Sequence, residues 1–140
     1  MTKLMKSNPG DDLGDLRVLV VDDDPDSRRW LRCLLEQQHA AVETGASVAD
    51  AIALLVSQPY DLVVSDIGMP EQDGYDLIRQ LRSMGGAAAS TPAIALTAFA
   101  RDEDRRLALR AGFQVHLVKP VEPAALLAAI AAVTRRQADS

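Results

Sequence analysis

Cysteine is almost missing from this chain. Cys33 stands alone among 140 residues, which excludes an internal disulfide and a thiolate metal cluster. Aromatic residues make up only 4%, and the two histidines are His39 and His116. No apolar run is long enough to span a bilayer. The opening stretch M-T-K-L-M-K-S-N-P-G-D-D lacks the apolar segment of a secretory signal, so a cytoplasmic location with no direct membrane contact is expected. A basic surface is also lacking. The net charge of −5 argues against direct nucleic-acid binding, which depends on dense Lys and Arg to release counterions.

What is present is an ordinary globular composition, 48% apolar and 25% charged, in a length that suits one domain. Residues 1–15 read as a polar lead-in, with Leu13 and Leu16 packing at its end; 16–137 as the domain; and 138–140 as a tail. Within the domain, short β-branched runs alternate with amphipathic stretches. Arg17–Val21, Ala41–Thr44, Tyr60–Ser65, Ala93–Thr97 and Gln114–Val118 are predicted strands. Predicted helices run from Pro25 to about residue 38, from Ser47 to about Ser57, and after Gly74 through Leu77, Ile78 and Leu81. Two more span Arg101–Ala111 and Glu122 to about Arg136. Leu31, Leu34, Leu35, Leu107, Leu126, Leu127, Ile130 and Val133 are the apolar positions of these helices, and Gly85–Ser90 is a predicted loop. Strict alternation implies an α/β fold: one doubly wound, five-stranded parallel sheet with helices on both faces.

In such sheets reactive groups gather beyond the carboxyl ends of the strands. Strand one delivers Asp22, Asp23 and Asp24 there. Strand three delivers Asp66, strand four Thr97, and strand five Lys119 followed by Pro120. Two unit charges about 4 Å apart repel by roughly 4 kcal/mol at an effective dielectric of 20, so a set of carboxylates requires compensation. Lys119 alone cannot balance three. No His or Cys stands at these strand ends, which points to a hard, oxygen-seeking cation, Mg²⁺ or Mn²⁺. A carboxylate can attack a phosphoryl group that carries a good leaving group, and catalysis of that transfer is mostly positioning and charge neutralisation. Asp66 is then the nucleophile. Asp23 and Asp66 hold the metal, and Lys119 and Thr97 receive the phosphoryl oxygens.

V-L-V-V-D-D-D-P at 18–25, D-L-V-V-S-D-I-G-M-P-E-Q-D-G-Y at 61–75, A-L-T-A at 95–98 and L-V-K-P at 117–120 together resemble the response-regulator receiver family of two-component signalling. The resemblance covers about residues 16–136 and implies a flavodoxin-like fold. It implies further that Asp22 and Asp23 are the acidic pair, Asp23 binding the metal directly and Asp22 through water, with the Gly68 carbonyl as another ligand. Asp66 is implied as phosphoacceptor, the Ala98 N–H as a phosphoryl contact, and the Lys119–Pro120 bond as cis. The phosphodonor partner is implied to be a histidine kinase or a histidine phosphotransfer protein. Thr97 and the residue three before the lysine form the family's switch. That residue is usually Tyr or Phe and is His116 here, as in receivers attached to hybrid histidine kinases, which puts the usual aromatic swing in doubt.

Blander roles fit other residues. Asp24 reads as a helix cap rather than a ligand, and Asp26 as a first-turn acid. Met69–Pro70 shapes the loop beside Asp66, and Asp73–Gly74 starts a helix. His116 reads first as a partly buried polar side chain and His39 as a surface residue. Trp30 and Cys33 are expected at the core edge, with partner contact as the alternative, in which Arg28 and Arg29 would assist. The charged run Arg101–Arg106 reads as a solvated face. The alanines of the last helix reflect high helix propensity, with a close helix–helix or homodimer contact as the alternative. Two other functions compete with the receiver reading: a small haloacid-dehalogenase-type phosphatase, for which Asp22 and Asp24 have the right spacing, and a pseudo-receiver acting by protein contact alone.

Overall fold

The computed structural model describes residues 12–69, 71–98 and 101–138. Pro70, most of the polar lead-in and the end of the tail lie outside them. The elements follow one another as β1 (Arg17–Val21), α1 (Pro25–Gln37), β2 (Ala41–Gly45), α2 (Val48–Ser57), β3 (Leu62–Asp66), α3 (Gly74–Arg82), β4 (Ala93–Thr97), α4 (Asp102–Ala111), β5 (Val115–Val118) and α5 (Pro123–Ala138). The five strands form one parallel sheet in the order β2-β1-β3-β4-β5. The chain starts in β1, steps outward to β2, then crosses to β3. The reversal of winding opens a crevice above the β1 and β3 ends, where the acidic residues are.

Alternating side chains divide the interior in two. Leu19, Val21, Val63, Ala93 and Ala95 face α2, α3 and α4, and pack with Val48, Leu55, Leu77, Ile78 and Leu81. Val18, Val20, Leu62, Val64, Ile94 and Leu96 face α1 and α5, and pack with Leu31, Leu35, Leu126, Leu127 and Ile130. Each fully buried Leu, Ile or Val of this set contributes about 1.5–3 kcal/mol. Leu13 belongs to the second cluster and donates its N–H to Gln38 at 2.6 Å, closing the domain below β1.

Local signals start the helices where the sequence places them. The Asp24 carboxylate accepts from the Asp26 N–H, and Pro25 occupies the first turn of α1. Ser47 caps α2 by accepting from the Asp50 N–H at 3.1 Å. Asp73 and Asp76 form a reciprocal capping box at α3. Gly112, at φ 127°, ends α4 in a conformation that side chains resist.

Three expectations are corrected, and the inward face of α4 is fixed. Trp30 is 44% exposed and Cys33 is exposed as well, because the inward stripe of α1 runs through Leu31 and Leu35 and turns both away. Leu107, the apolar residue that marks α4 in the sequence, is 50% exposed, and the helix buries Ala108. Gly86–Ser90 forms a 3-10 helix rather than an irregular loop. β3 begins at Leu62 and runs through Asp66, so the acid is the strand's last residue.

Candidate functional site

Four of the five strand ends, those of β1, β3, β4 and β5, set the functional side chains. Asp22 follows β1 and is 1% exposed, with all its polar groups engaged. Its N–H donates to the Gly45 carbonyl at 3.1 Å, and its own carbonyl accepts from Arg28 Nη1 at 2.8 Å. Its Oδ1 accepts from the Asp24 N–H at 2.9 Å and its Oδ2 from Lys119 Nζ at 3.3 Å. Asp23, next along, is exposed, and no partner among the described residues holds its carboxylate. Asp66 closes β3 at 6% exposure, its Oδ1 3.2 Å from Lys119 Nζ. Carboxylate oxygens of Asp22, Asp23 and Asp66 all lie within 4.8 Å of one another.

The backbone around Asp66 is pinned on both sides. The Ile67 N–H donates to the Leu96 carbonyl at 2.9 Å, extending the β3–β4 ladder past the acid. The Gly74 N–H donates to the Ile67 carbonyl at 2.8 Å. A Cβ on Gly74 would stand 2.7 Å from the Asp66 carbonyl oxygen and 2.8 Å from the Ile67 Cα. Only glycine lets the start of α3 sit this close behind the acid. Thr97 ends β4 at 2% exposure, and its carbonyl accepts from the Lys119 N–H at 2.8 Å, tying the lysine to the same rim. The Lys119–Pro120 bond is cis, as the resemblance implies.

One ammonium among three carboxylates leaves negative charge in excess. Burial pushes the Asp66 carboxyl above the usual aspartate range; Lys119 pulls it down, and Asp22 and Asp23 push it further up. For Lys119, burial works against the charged form, yet the attraction of Asp22 and Asp66 prevails and holds the ammonium above the ordinary lysine value. A buried acid that resists ionising and a lysine shared between two acids are what a site short of positive charge shows. The donor set is all oxygen, and its spacing fits a hard divalent cation.

The other expected members stand nearby or apart. Gly68 is exposed in the turn after β3, and Ala98 is exposed just past Thr97. His116 is half-buried on β5, opposite Ala95 and two pairs back from the Thr97–Val118 pair. Its Nε2 has no hydrogen-bond partner among the described residues, and burial holds its pKa below the usual histidine value. Beside the site, Trp30, Leu31, Leu96, Pro120 and Val121 wall a hollow of about 290 Å³ that Asp22 and Lys119 also line. Asp24 is a cap, as expected, and its Oδ2 also accepts from the Ser27 hydroxyl at 3.0 Å.

Two contributors escaped the reading of the sequence. The sequence suggests Arg28 only for partner contact, although long side chains in helices lean toward the N-terminus, which aims position 28 back at Asp22. Gly74 reads only as part of a helix start. The D-G pair marks the helix start but says nothing of the backbone packed behind it.

Residues 18–131 match the response regulator receiver domain family. The chain belongs to that family. This receiver domain is 47% identical over 115 residues to an uncharacterized 14.6 kDa protein in the sodA1 3' region of Leptolyngbya boryana, covering 82% of this chain and 87% of that one. It is 34% identical over 122 residues to the sensor histidine kinase RcsC of Salmonella typhi, covering 87% of this chain and 13% of the kinase. Its fold superposes on the Francisella response regulator 1452 receiver domain with a TM-score of 0.81 at 27% identity, over 88% of this chain and 99% of that one. Receiver domains of this family thus occur both as small proteins and as minor parts of much larger ones. No helix among the described residues is long and apolar enough to cross a membrane.

Proposed function

We propose that this receiver domain accepts a phosphoryl group on Asp66 from a phosphohistidine of a histidine kinase or histidine phosphotransfer protein, in a reaction that depends on Mg²⁺ or Mn²⁺. The observation that carries the reading is Lys119 Nζ standing 3.3 Å from Asp22 and 3.2 Å from Asp66, with three carboxylates converging around it. Asp23, Asp66 and the Gly68 carbonyl would hold the cation directly. Asp22, whose two carboxylate oxygens are already hydrogen-bonded, would serve through water. When bound, the cation supplies the positive charge that a phosphoryl group's equatorial oxygens require.

The protein's own groups do the rest. A carboxylate oxygen of Asp66 attacks phosphorus, the P–N bond breaks, and its electron pair leaves with the imidazole, which takes up a proton. Lys119 turns its ammonium from the Asp66 carboxylate to a phosphoryl oxygen, staying within the same cluster. The Thr97 hydroxyl and the Ala98 N–H receive the remaining oxygens. Modification would then be read at β4 and β5 through Thr97 and His116, altering partner contacts.

Beryllofluoride, a phosphoryl mimic, tests this. With Mg²⁺ it should bind the wild-type chain and fail to bind Asp66→Asn. Equal behaviour of the two chains sinks the reading. Steady release of phosphate from a generic ester would mark a phosphatase instead.

A further inference from the structure

We propose that Arg28 is a positioning residue for the cation site, acting through the Asp22–Asp23 peptide; this rests on the phosphoacceptor reading above. The ladders that hold β1 end at Val21, paired with Gly45 on one side and Ser65 on the other. The Asp22 carbonyl therefore lies one residue past the last sheet pairing. A buried carbonyl without a donor is costly, and its peptide plane is free to rotate. Arg28 supplies that donor. From the first full turn of α1 it reaches back and gives its Nη1–H to the Asp22 oxygen at 2.8 Å.

The consequence falls on the next residue. The orientation of the 22–23 peptide sets the direction in which the Asp23 side chain leaves the backbone. Asp23 is the one member of the trio with no partner of its own among the described residues, whereas Asp22 and Asp66 are held by Lys119. Arg28 thus fixes through the backbone the carboxylate that no side-chain contact fixes. Arg29, its neighbour, does something else: it pairs with Asp26 on the exposed face of the helix at 3.2 Å.

The sign of the effect separates this role from a simple electrostatic one. A cation close to an acidic cluster repels Mg²⁺, so if Arg28 were only a bystander charge, removing it would tighten binding. If it positions Asp23, removing it weakens binding. Mg²⁺ alone should be titrated and followed by the fluorescence of Trp30, the single tryptophan, which lines the hollow beside Asp22 and Lys119, with calorimetry as the parallel readout. Arg28→Met keeps the packing stem and removes the donor. It should raise the Mg²⁺ Kd about tenfold, as loss of a group supporting a ligand does. Arg28→Lys retains a donor for the single bond and should stay within about threefold of wild type. Arg29→Met, with the same change in charge, should leave Kd unchanged or lower it slightly.

Unchanged or tighter binding by Arg28→Met overturns the positioning role while the phosphoacceptor reading stands. A wild-type chain that binds neither Mg²⁺ nor beryllofluoride overturns both. Thermal melts of each variant without metal guard against misfolding; if Arg28→Met does not fold, the Lys and Arg29 variants carry the comparison, and a folded Arg28→Lys that binds Mg²⁺ about tenfold more weakly than wild type overturns the role.

Discussion

Gly74 leaves no space behind Asp66, and this crowding decides how the acid is held. The backbone that carries the carboxylate is confined, because α3 begins against the Asp66 carbonyl and the Ile67 Cα. Gly74→Ala would place a methyl group 2.7 Å from that carbonyl oxygen, a distance at which the backbone must shift. The expected result is a loss of about 1–3 kcal/mol of stability from overpacking. Beryllofluoride affinity should fall further than stability alone explains, since the shift passes directly to the acid. Urea unfolding with a parallel binding titration checks both. A destabilised variant with wild-type affinity would show that the acid tolerates the displacement.

At the level of elements, β5 is one of the sheet's two edge strands. His116 stands beside Ala95, on the sheet face that α4 covers. From α4, Asp104 favours its charged form and Arg105 disfavours it, with burial the strongest influence. On the same face of β4, Ala93, Ala95 and Thr97 carry no charge. The folded state thus holds histidine's pKa below 6.5, so the unfolded chain binds the proton more readily. Stability from this residue is intact above the unfolded pKa and declines as pH falls through 6.5 toward the folded value. His116→Phe should remove that part of the decline between about pH 7 and pH 5. Melting curves of the two chains across this range should converge at the alkaline end and separate at the acid end, and parallel curves refute the linkage. The same element level shows what the sequence makes legible. Helix starts at Asp24–Pro25, Ser47–Asp50 and Asp73–Gly74 were readable because caps are local, as were the strands, whose burial shows in unbroken β-branched runs. The rotation of α4 was not. A helix of mixed charge offers no stripe to read, and a turn of 100° exchanges Leu107 for Ala108. Nor was Arg82, whose guanidinium joins the end of α3 to the carbonyls of Ala89, Thr91 and Gly112, across as many as 30 residues.

For the whole molecule, the site is a local cost that the rest of the fold carries. The convergence of Asp22, Asp66, Thr97 and Lys119 was legible because the winding order places their strand ends side by side. The degree of burial and the shared ammonium required the packed structure. Burial comes first among the causes that raise the Asp66 carboxyl, with Asp22 and Asp23 adding to it. A carboxyl whose folded pKa lies above its unfolded value of 3.8 favours folding only when protonated. At neutral pH the ionised form is therefore a destabilising group, and the penalty is relieved as pH falls toward and through the folded pKa. Asp66→Asn keeps the shape and removes the charge, so in metal-free buffer near neutrality it should melt above wild type, and the gap should close on acidification. Mg²⁺ acts in the opposite sense. A single-site ligand at a hundred times its Kd adds about 2.7 kcal/mol to the state that binds it. Wild type should gain nearly all of that, and Asp66→Asn, with one ligand charge removed, distinctly less. The order of melting temperatures should therefore narrow or reverse as Mg²⁺ is added. If wild type is the more stable chain without metal, Lys119 compensates its acids fully and the site has no need of a cation to relieve it.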